Sequence, residues 1–287
     1  MDTVINSFVE KSKEMTDFNK VKKYYKTFDE QNRLISSNSG RLEFEITMDL
    51  LHQFLPKEGK LLDLGGGAGA YSFPLAEEGY TVLLADLSDE LIHKAEAYGK
   101  GQKTVLESYD VVNATDLSRY NDGEFDAVIL LGPLYHLLEK SERMQCVSEV
   151  NRVLKRSGVV FASFIPRLSG SIALVDRYFN HPDQVNSGTL RKTFQSGKFC
   201  NLADVGFQEG YYPSVDEIDE LFSANGFDKI LLRSLRGFGY EKEDALYKLE
   251  TEDPEMYIMT MQLLNETSTN RAIIEMCGHA IYVGKKG

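Results

Sequence analysis

Leu61-Leu62-Asp63-Leu64-Gly65-Gly66-Gly67-Ala68-Gly69-Ala70, followed by Thr81-Val82-Leu83-Leu84-Ala85-Asp86, is the stretch on which the fold turns. Leu61, Leu62 and Leu64 make a short apolar run bounded by turn residues, the pattern of a strand buried on both faces. The glycines that follow carry no Cβ, so the backbone N–H groups of the turn, and the positive end of the helix it opens, can come close to a ligand. Thr81 to Ala85 reads as a second strand. It delivers Asp86, 21 residues beyond Gly65, where a carboxylate can accept both hydroxyls of a ribose. Strand, glycine turn and terminal acid together describe a site for a ligand that carries a nucleoside.

Two ligand classes use this frame, and the glycines do not separate them. Gly65-x-Gly67-x-x-Ala70 with an acid 21 residues beyond Gly65 also satisfies the dinucleotide fingerprint. Asp63 separates them better, because a nicotinamide-binding strand normally carries an apolar residue at that position. Asp63-x-Gly65-x-Gly67-x-Gly69 resembles motif I of the class I S-adenosylmethionine-dependent methyltransferases. The resemblance implies S-adenosylmethionine as cofactor. It places Asp63 near the methionine end, Gly65, Gly66, Gly67 and Gly69 in the turn, and Asp86 and Leu87 at the ribose.

Working outward, strands are expected at 60–64, 81–85, 104–108, 125–131 and 158–164, with helices at 69–78, 88–98 and 141–155 between most of them. Strands alternating with helices mean a parallel sheet with right-handed crossovers. Ser88-Asp89-Glu90 reads as a helix N-cap followed by first-turn acids, and Ser157-Gly158 as the stop of the helix before the fifth strand. Upstream, amphipathic helices are expected over 2–27, on the spacing of Ile5, Phe8, Val9, Met15 and Phe18, and over 41–54. After Pro166 the pattern lapses as far as Pro213, through a segment rich in Gly and Pro; loops that long are functional lids or disordered. A helix from Val215 to Phe222, a strand at 230–232, one or two helices within 242–276 broken at Pro254, and a strand at 280–283 complete the chain. This order resembles the class I methyltransferase fold, an α/β, doubly wound, mostly parallel seven-stranded Rossmann-like sheet whose seventh strand inserts antiparallel beside the fifth. On that resemblance residues 1–45 are cofactor-covering helices and 46–287 the methyltransferase domain, with a substrate cap at 167–212 and a helical insertion at 242–276.

The 287 residues suffice for one large or two small domains, and 42% hydrophobic residues is ordinary for a soluble core. No apolar run approaches the ~18 residues of a membrane span, and the first 30 residues are studded with charge, so a cytoplasmic protein without a membrane segment is expected. Cys146, Cys200 and Cys277 form no CxxC pair and the five His no metal-binding spacing, so neither a disulfide framework nor a metal is expected. A net charge of −12 weighs against a duplex nucleic-acid partner. The sign is uneven, however. Residues 159–200 hold five cations (Arg167, Arg177, Arg191, Lys192, Lys198) against Asp176 and Asp183, a net +3.

Further segments match the same family. Asn113-Ala114 falls after the third strand, where the family has an Asp-Ala that meets the adenine amino group; the Asn side-chain carbonyl can still accept from it, without the charge. Arg152-Val153-Leu154-Lys155-Arg156-Ser157-Gly158 resembles the family's turn into strand five. The fourth strand, ending at Leu131, delivers Gly132-Pro133-Leu134-Tyr135-His136 to the carboxyl edge of the sheet, a segment similar to the "GPLYHL" of bacterial small-molecule methyltransferases. His136, with Tyr135 beside it, is the general-base candidate; the alternative is that His136 caps the next helix or packs on the cofactor, since methyl transfer from a sulfonium needs no obligatory base. Tyr24, Tyr25, Phe28, Arg33, Arg41 and Glu43 precede the core as in relatives whose N-terminal helices fold over the cofactor. There Tyr25 would face the sulfonium and Arg41 the methionine carboxylate. Arg177, Arg191 and Lys192 are expected to face an anionic acceptor, beside Tyr24. The resulting expectation is methyl transfer to a small molecule. A tRNA-modifying methyltransferase, a nicotinamide oxidoreductase and a non-catalytic S-adenosylmethionine binder are the alternatives, and the oligomeric state stays open.

Overall fold

A computed structural model describes residues 15–287. Of the expected first helix it describes α1, Phe18–Thr27, which Asp17 caps by accepting from the Asn19 N–H at 3.0 Å; Ile5, Phe8 and Val9 lie outside the described residues. Next come α2 (Asn38–Phe54), β1 (Lys60–Leu64), α3 (Ser72–Glu77), β2 (Thr81–Asp86), α4 (Asp89–Gly99), β3 (Ser108–Val111), β4 (Phe125–Leu130), α5 (Lys140–Val153) and β5 (Leu154–Phe164). After them the chain forms α6 (Arg167–Asn180), α7 (Ser187–Ser196), β6 (Lys198–Cys200), β7 (Glu209–Tyr211), α8 (Val215–Ala224), β8 (Phe227–Ser234), α9 (Glu243–Glu252), α10 (Pro254–Thr267), α11 (Arg271–Met276) and β9 (Ala280–Lys286).

The main sheet has seven strands in the order β3-β2-β1-β4-β5-β9-β8. β1, β2, β3, β4 and β5 pair in parallel, and β9 runs antiparallel between β5 and β8, as the sequence implies. Alternate residues of each buried strand supply the two faces. Leu62, Val128 and Val160 join one core with α5 and α8, whereas Leu61, Ile129 and Phe161 join the other with Leu42, Leu51 and Ile281. Strand order reverses at β1, whose neighbours are β2 and β4, so their carboxyl ends diverge and leave a crevice.

Several expectations fail for physical reasons. The third strand is not at 104–108 but at Ser108–Val111, because pairing with Leu83–Asp86 sets its register; Val105, for all its β-propensity, is 66% exposed. The helix after the glycine turn starts at Ser72 rather than at residue 69. Ser157-Gly158 does not close a helix. α5 ends at Val153, β5 starts at Leu154, and Ser157 takes a left-handed φ of 65° where the β4–β5 register shifts between Phe125 and Ala127. The stretch after Pro166 is no loop: it holds α6, α7 and the β6–β7 hairpin. Its glycines mislead, because Gly170 lies inside α6, where a Cβ would sit 2.4 Å from the Tyr212 ring. The insertion before the last strand is three helices, with Pro254 opening α10 rather than only breaking a helix.

Candidate active site

At the crevice the turn after β1 needs glycine. Gly65 and Gly67 have φ of 78° and 58°, and a Cβ on Gly65 would lie 2.5 Å from Pro133. The Gly67 N–H donates to Asp86 Oδ2 at 2.9 Å and the Ser88 N–H to Asp86 Oδ1 at 2.8 Å, so the carboxylate at the end of β2 ties the turn to α4. Burial pushes the Asp86 carboxyl up to about 6, against those N–H donors. Beside it opens a cavity. Its walls are Gly65, Asp86 and Leu87, then Val112, Asn113 and Ala114, then Pro133, His136 and Leu137, with Phe18, Val21 and Tyr25 of α1 laid across.

A second cavity adjoins it through Tyr25, which lines both. Tyr24, Phe28, Phe207 and Tyr212 give it aromatic walls, and Glu30, Arg33, Tyr135, Arg177, Arg236 and His279 supply polar ones. Arg33 donates to Glu30 at 3.0 Å and to Glu43 at 2.8 Å, and the far oxygen of Glu43 meets His279 Nδ1 at 3.0 Å. Burial alone would raise the Glu43 carboxyl, but His279 and Arg33 outweigh it and hold it below the usual carboxylate range. Among the described residues, Arg177 Nη1 meets neutral acceptors, the Phe207 carbonyl at 3.1 Å and Gln184 Oε1 at 3.3 Å.

Of the residues expected from sequence, Gly65, Asp86, Leu87, Asn113, Ala114, Tyr25 and His136 line the first cavity, and Tyr24, Tyr135 and Arg177 the second. Asn113 Oδ1, expected at the adenine, accepts from the Thr115 N–H and hydroxyl at 3.1 and 3.0 Å. Asp63 does not line the cavity. It is 1% exposed, accepts from Ser72 Oγ at 2.6 Å, and burial raises its carboxyl to about 7. Gly66, Gly67 and Gly69 shape the turn behind the wall, and Leu131 packs into the core. Arg41 is a correction. Its guanidinium is held by Glu45 at 2.7 Å and Glu250 at 3.0 Å and lies 4.0 Å over the Tyr247 ring, outside both cavities. Arg191 and Lys192 are another: both are exposed on α7, Arg191 beside Leu168, Phe194 and Met276 rather than at the second cavity.

His136 departs from the expected general base. It is buried, its ring Nε2 lies 2.9 Å from the Tyr25 hydroxyl, and burial depresses its pKa to about 3, far below a useful base. Sequence reasoning passed over Glu30, Arg236, Phe207 and His279. One signal was available: Glu43 is a lone acid between Leu42 and Phe44 on the face of α2 that turns inward.

These residues fit S-adenosylmethionine. Asp86 keeps acceptor capacity beyond its two N–H donors, since a carboxylate has about four lone-pair sites, and Leu87, Val112 and Leu137 offer an apolar slot beside it. The fold is that of the class I S-adenosylmethionine-dependent methyltransferases, and the similarities that follow support the same activity and cofactor. Residues 62–162 match the model of a methyltransferase domain. The glycine/sarcosine N-methyltransferase of Parasynechococcus marenigrum (strain WH8102) is 28% identical over 247 residues, 80% of each chain. A solved structure from Pyrococcus horikoshii OT3 has 22% identity and a TM-score of 0.62 over 92% of this chain and 99% of its own. The magnesium protoporphyrin IX methyltransferase of Synechocystis, solved with bound S-adenosylhomocysteine, has 16% identity and a TM-score of 0.56 over 94% of this chain and 100% of its own. Among the described residues no helix is long and apolar enough to cross a membrane.

Proposed function

We propose that this protein methylates a small-molecule acceptor held in the second cavity, between α1, α6 and the loop before β9. The observation that carries the reading is Tyr25, which walls both cavities and so marks where cofactor and acceptor would meet. When bound, S-adenosylmethionine supplies an electrophilic methyl carbon on a sulfonium. Asp86 would hold the ribose, and Arg33, whose partner Glu30 packs at the glycine turn, takes the place expected of Arg41 beside the methionine carboxylate. Tyr24, Tyr25 and Tyr135 exclude water, and aromatic faces near a cation contribute ~0.5–2 kcal/mol. Holding acceptor and methyl group in line is the larger effect, roughly 7–11 kcal/mol of barrier. His136 acts as a positioning residue, its Nε2 hydrogen-bonded with the Tyr25 hydroxyl and so fixing α1 over the cavity. Arg177, which has no carboxylate partner among the described residues, is the cation available to an anionic group of the acceptor.

The tRNA alternative has weaker support. Of the five cations in 159–200, Arg167 pairs with Glu217 and Lys198 with Glu139, and Arg177 turns inward, which leaves Arg191 and Lys192 as an exposed basic pair. The test is incubation of the full chain with methyl-tritiated S-adenosylmethionine, a panel of small amines, phenols and thiols, and bulk tRNA. Label is expected in small molecules, with Arg177→Met raising the acceptor KM several-fold at unchanged cofactor affinity and the Arg191→Ala/Lys192→Ala double variant leaving it alone. Label on tRNA alone would overturn the reading.

A further inference from the structure

We propose that His279, oriented by Glu43, is the general base of the methyl transfer, and that the acceptor nucleophile is a phenolic hydroxyl; the proposal rests on the small-molecule reading above. His279 lines the acceptor cavity from the turn just before β9. Its Nδ1 is committed to Glu43 Oε2 at 3.0 Å, which fixes the proton on Nδ1 and leaves the Nε2 lone pair for a ligand. Glu43 is 7% exposed, inside the molecule, and its other oxygen is engaged by Arg33 at 2.8 Å, so the carboxylate is ionised and immobile. A histidine backed by a buried carboxylate, facing a cavity, is the arrangement that general-base catalysis requires. Nothing comparable supports His136, whose ring is buried and bonded to Tyr25.

The cavity narrows the acceptor. Tyr24 stacks on Phe28 with ring centroids 4.9 Å apart and meets Phe207 edge-on at 5.6 Å, and with Tyr212 these rings line the cavity, so a planar ring is the shape these walls accommodate. A neutral amine attacks a sulfonium with its own lone pair, whereas a hydroxyl must lose its proton as it attacks. An imidazole can take that proton from a phenol, of pKa about 10. In the step, the phenol oxygen bonds to the methyl carbon, the carbon–sulfur bond breaks with its electron pair going to sulfur, and the phenolic proton passes to His279 Nε2. The imidazolium is stabilised by Glu43, and the proton then leaves to solvent. Other charged or titratable groups face His279 as well: Glu30 and Arg33 from the segment before α2, Tyr135 after β4 with its ring 6.1 Å away, and Arg236 and Tyr240 after β8.

The first test needs no turnover. In the full chain with 15N-labelled histidine, NMR near pH 8 should show His279 with Nδ1 protonated and Nε2 bare; a protonated Nε2 would overturn the proposal. The second test is kinetic, on a panel of simple phenols set against the matching anilines. Phenols should be methylated faster, and His279→Gln should lower kcat by ~10²–10⁴-fold with cofactor affinity by calorimetry unchanged. Glu43→Gln, checked for folding by circular dichroism, should lower kcat with little change in the acceptor KM, as expected of a positioning residue. Methylation of anilines only, or a His279→Gln enzyme as fast as wild type, would overturn the proposal and leave the small-molecule reading standing. Absence of any S-adenosylmethionine binding would instead remove that reading.

Discussion

Asp63 shows how one residue can satisfy a motif for a reason other than the expected one. It is not a wall of the cofactor cavity but a buried carboxyl that accepts from Ser72 Oγ and sits beneath Gly66, where an added Cβ would lie 2.5 Å from it. Burial raises it to about 7, so between the usual aspartate range and that value the folded chain binds more protons than the unfolded one. Stability contributed by this group is therefore present at low pH and lost as pH rises through about 4 to 7. Asp63→Asn keeps an acceptor for Ser72 and has no charge to bury. Its Tm relative to wild type should rise between pH 5 and pH 8, read by thermal unfolding of the cofactor-free chain; an equal difference at both values would contradict the placement. At this scale the sequence was legible in the placing of Asp86 and Gly65, which line the first cavity. It was not legible where partners decide. Arg41 and Arg33 look alike on paper, but Glu250 captures the first and Glu30 and Glu43 keep the second at the cavities.

At the scale of elements, α1 is the piece that turns a crevice into a cavity. Polar contacts help to hold it down: Lys20 with Glu209 on β7, Lys23 Nζ to the Asp204 carbonyl at 3.1 Å, and the Tyr25 hydroxyl with His136. Removing one neutral hydrogen bond costs about 1 kcal/mol net, so Tyr25→Phe should speed release of bound S-adenosylmethionine roughly fivefold while leaving the fold intact. Release of radiolabelled cofactor into an unlabelled excess would show it; an unchanged rate would mean that α1 is not fastened there. The buried strands β1, β2 and β4 were readable because continuous apolar runs have no other use in a chain of this charge. The edge strand β3 was not, because Ser108-Tyr109-Asp110-Val111 has few apolar residues and takes its place from pairing with β2. Likewise α6 hid behind Gly170, and its Ile172, Val175 and Phe179 face outward.

For the whole molecule, the order β3-β2-β1-β4-β5-β9-β8 brings to one edge groups far apart in sequence: Tyr25 on α1, Asp86 at the end of β2, His136 after β4, and His279 just before β9. The alternation of helices and strands gave a parallel sheet with right-handed crossovers, and the place of the last strand beside the fifth was implied by the resemblance to the class I methyltransferase fold. The second cavity was not legible in the sequence, since it is made by α1, α6, the β6–β7 hairpin and the loop before β9, whose meeting no local pattern encodes. The central claim is that the crevice at β1 and β2 is a cofactor site depending on Asp86. Titration calorimetry of the full chain with S-adenosylmethionine and NADH, on wild type and Asp86→Ala, tests it most directly. Charge-assisted bonds are worth about 1.5–3 kcal/mol each, so wild type should bind S-adenosylmethionine at one site and not NADH, and Asp86→Ala should weaken binding at least tenfold. Binding of NADH alone, or S-adenosylmethionine affinity changed less than about threefold by Asp86→Ala, below one such bond, would contradict the account.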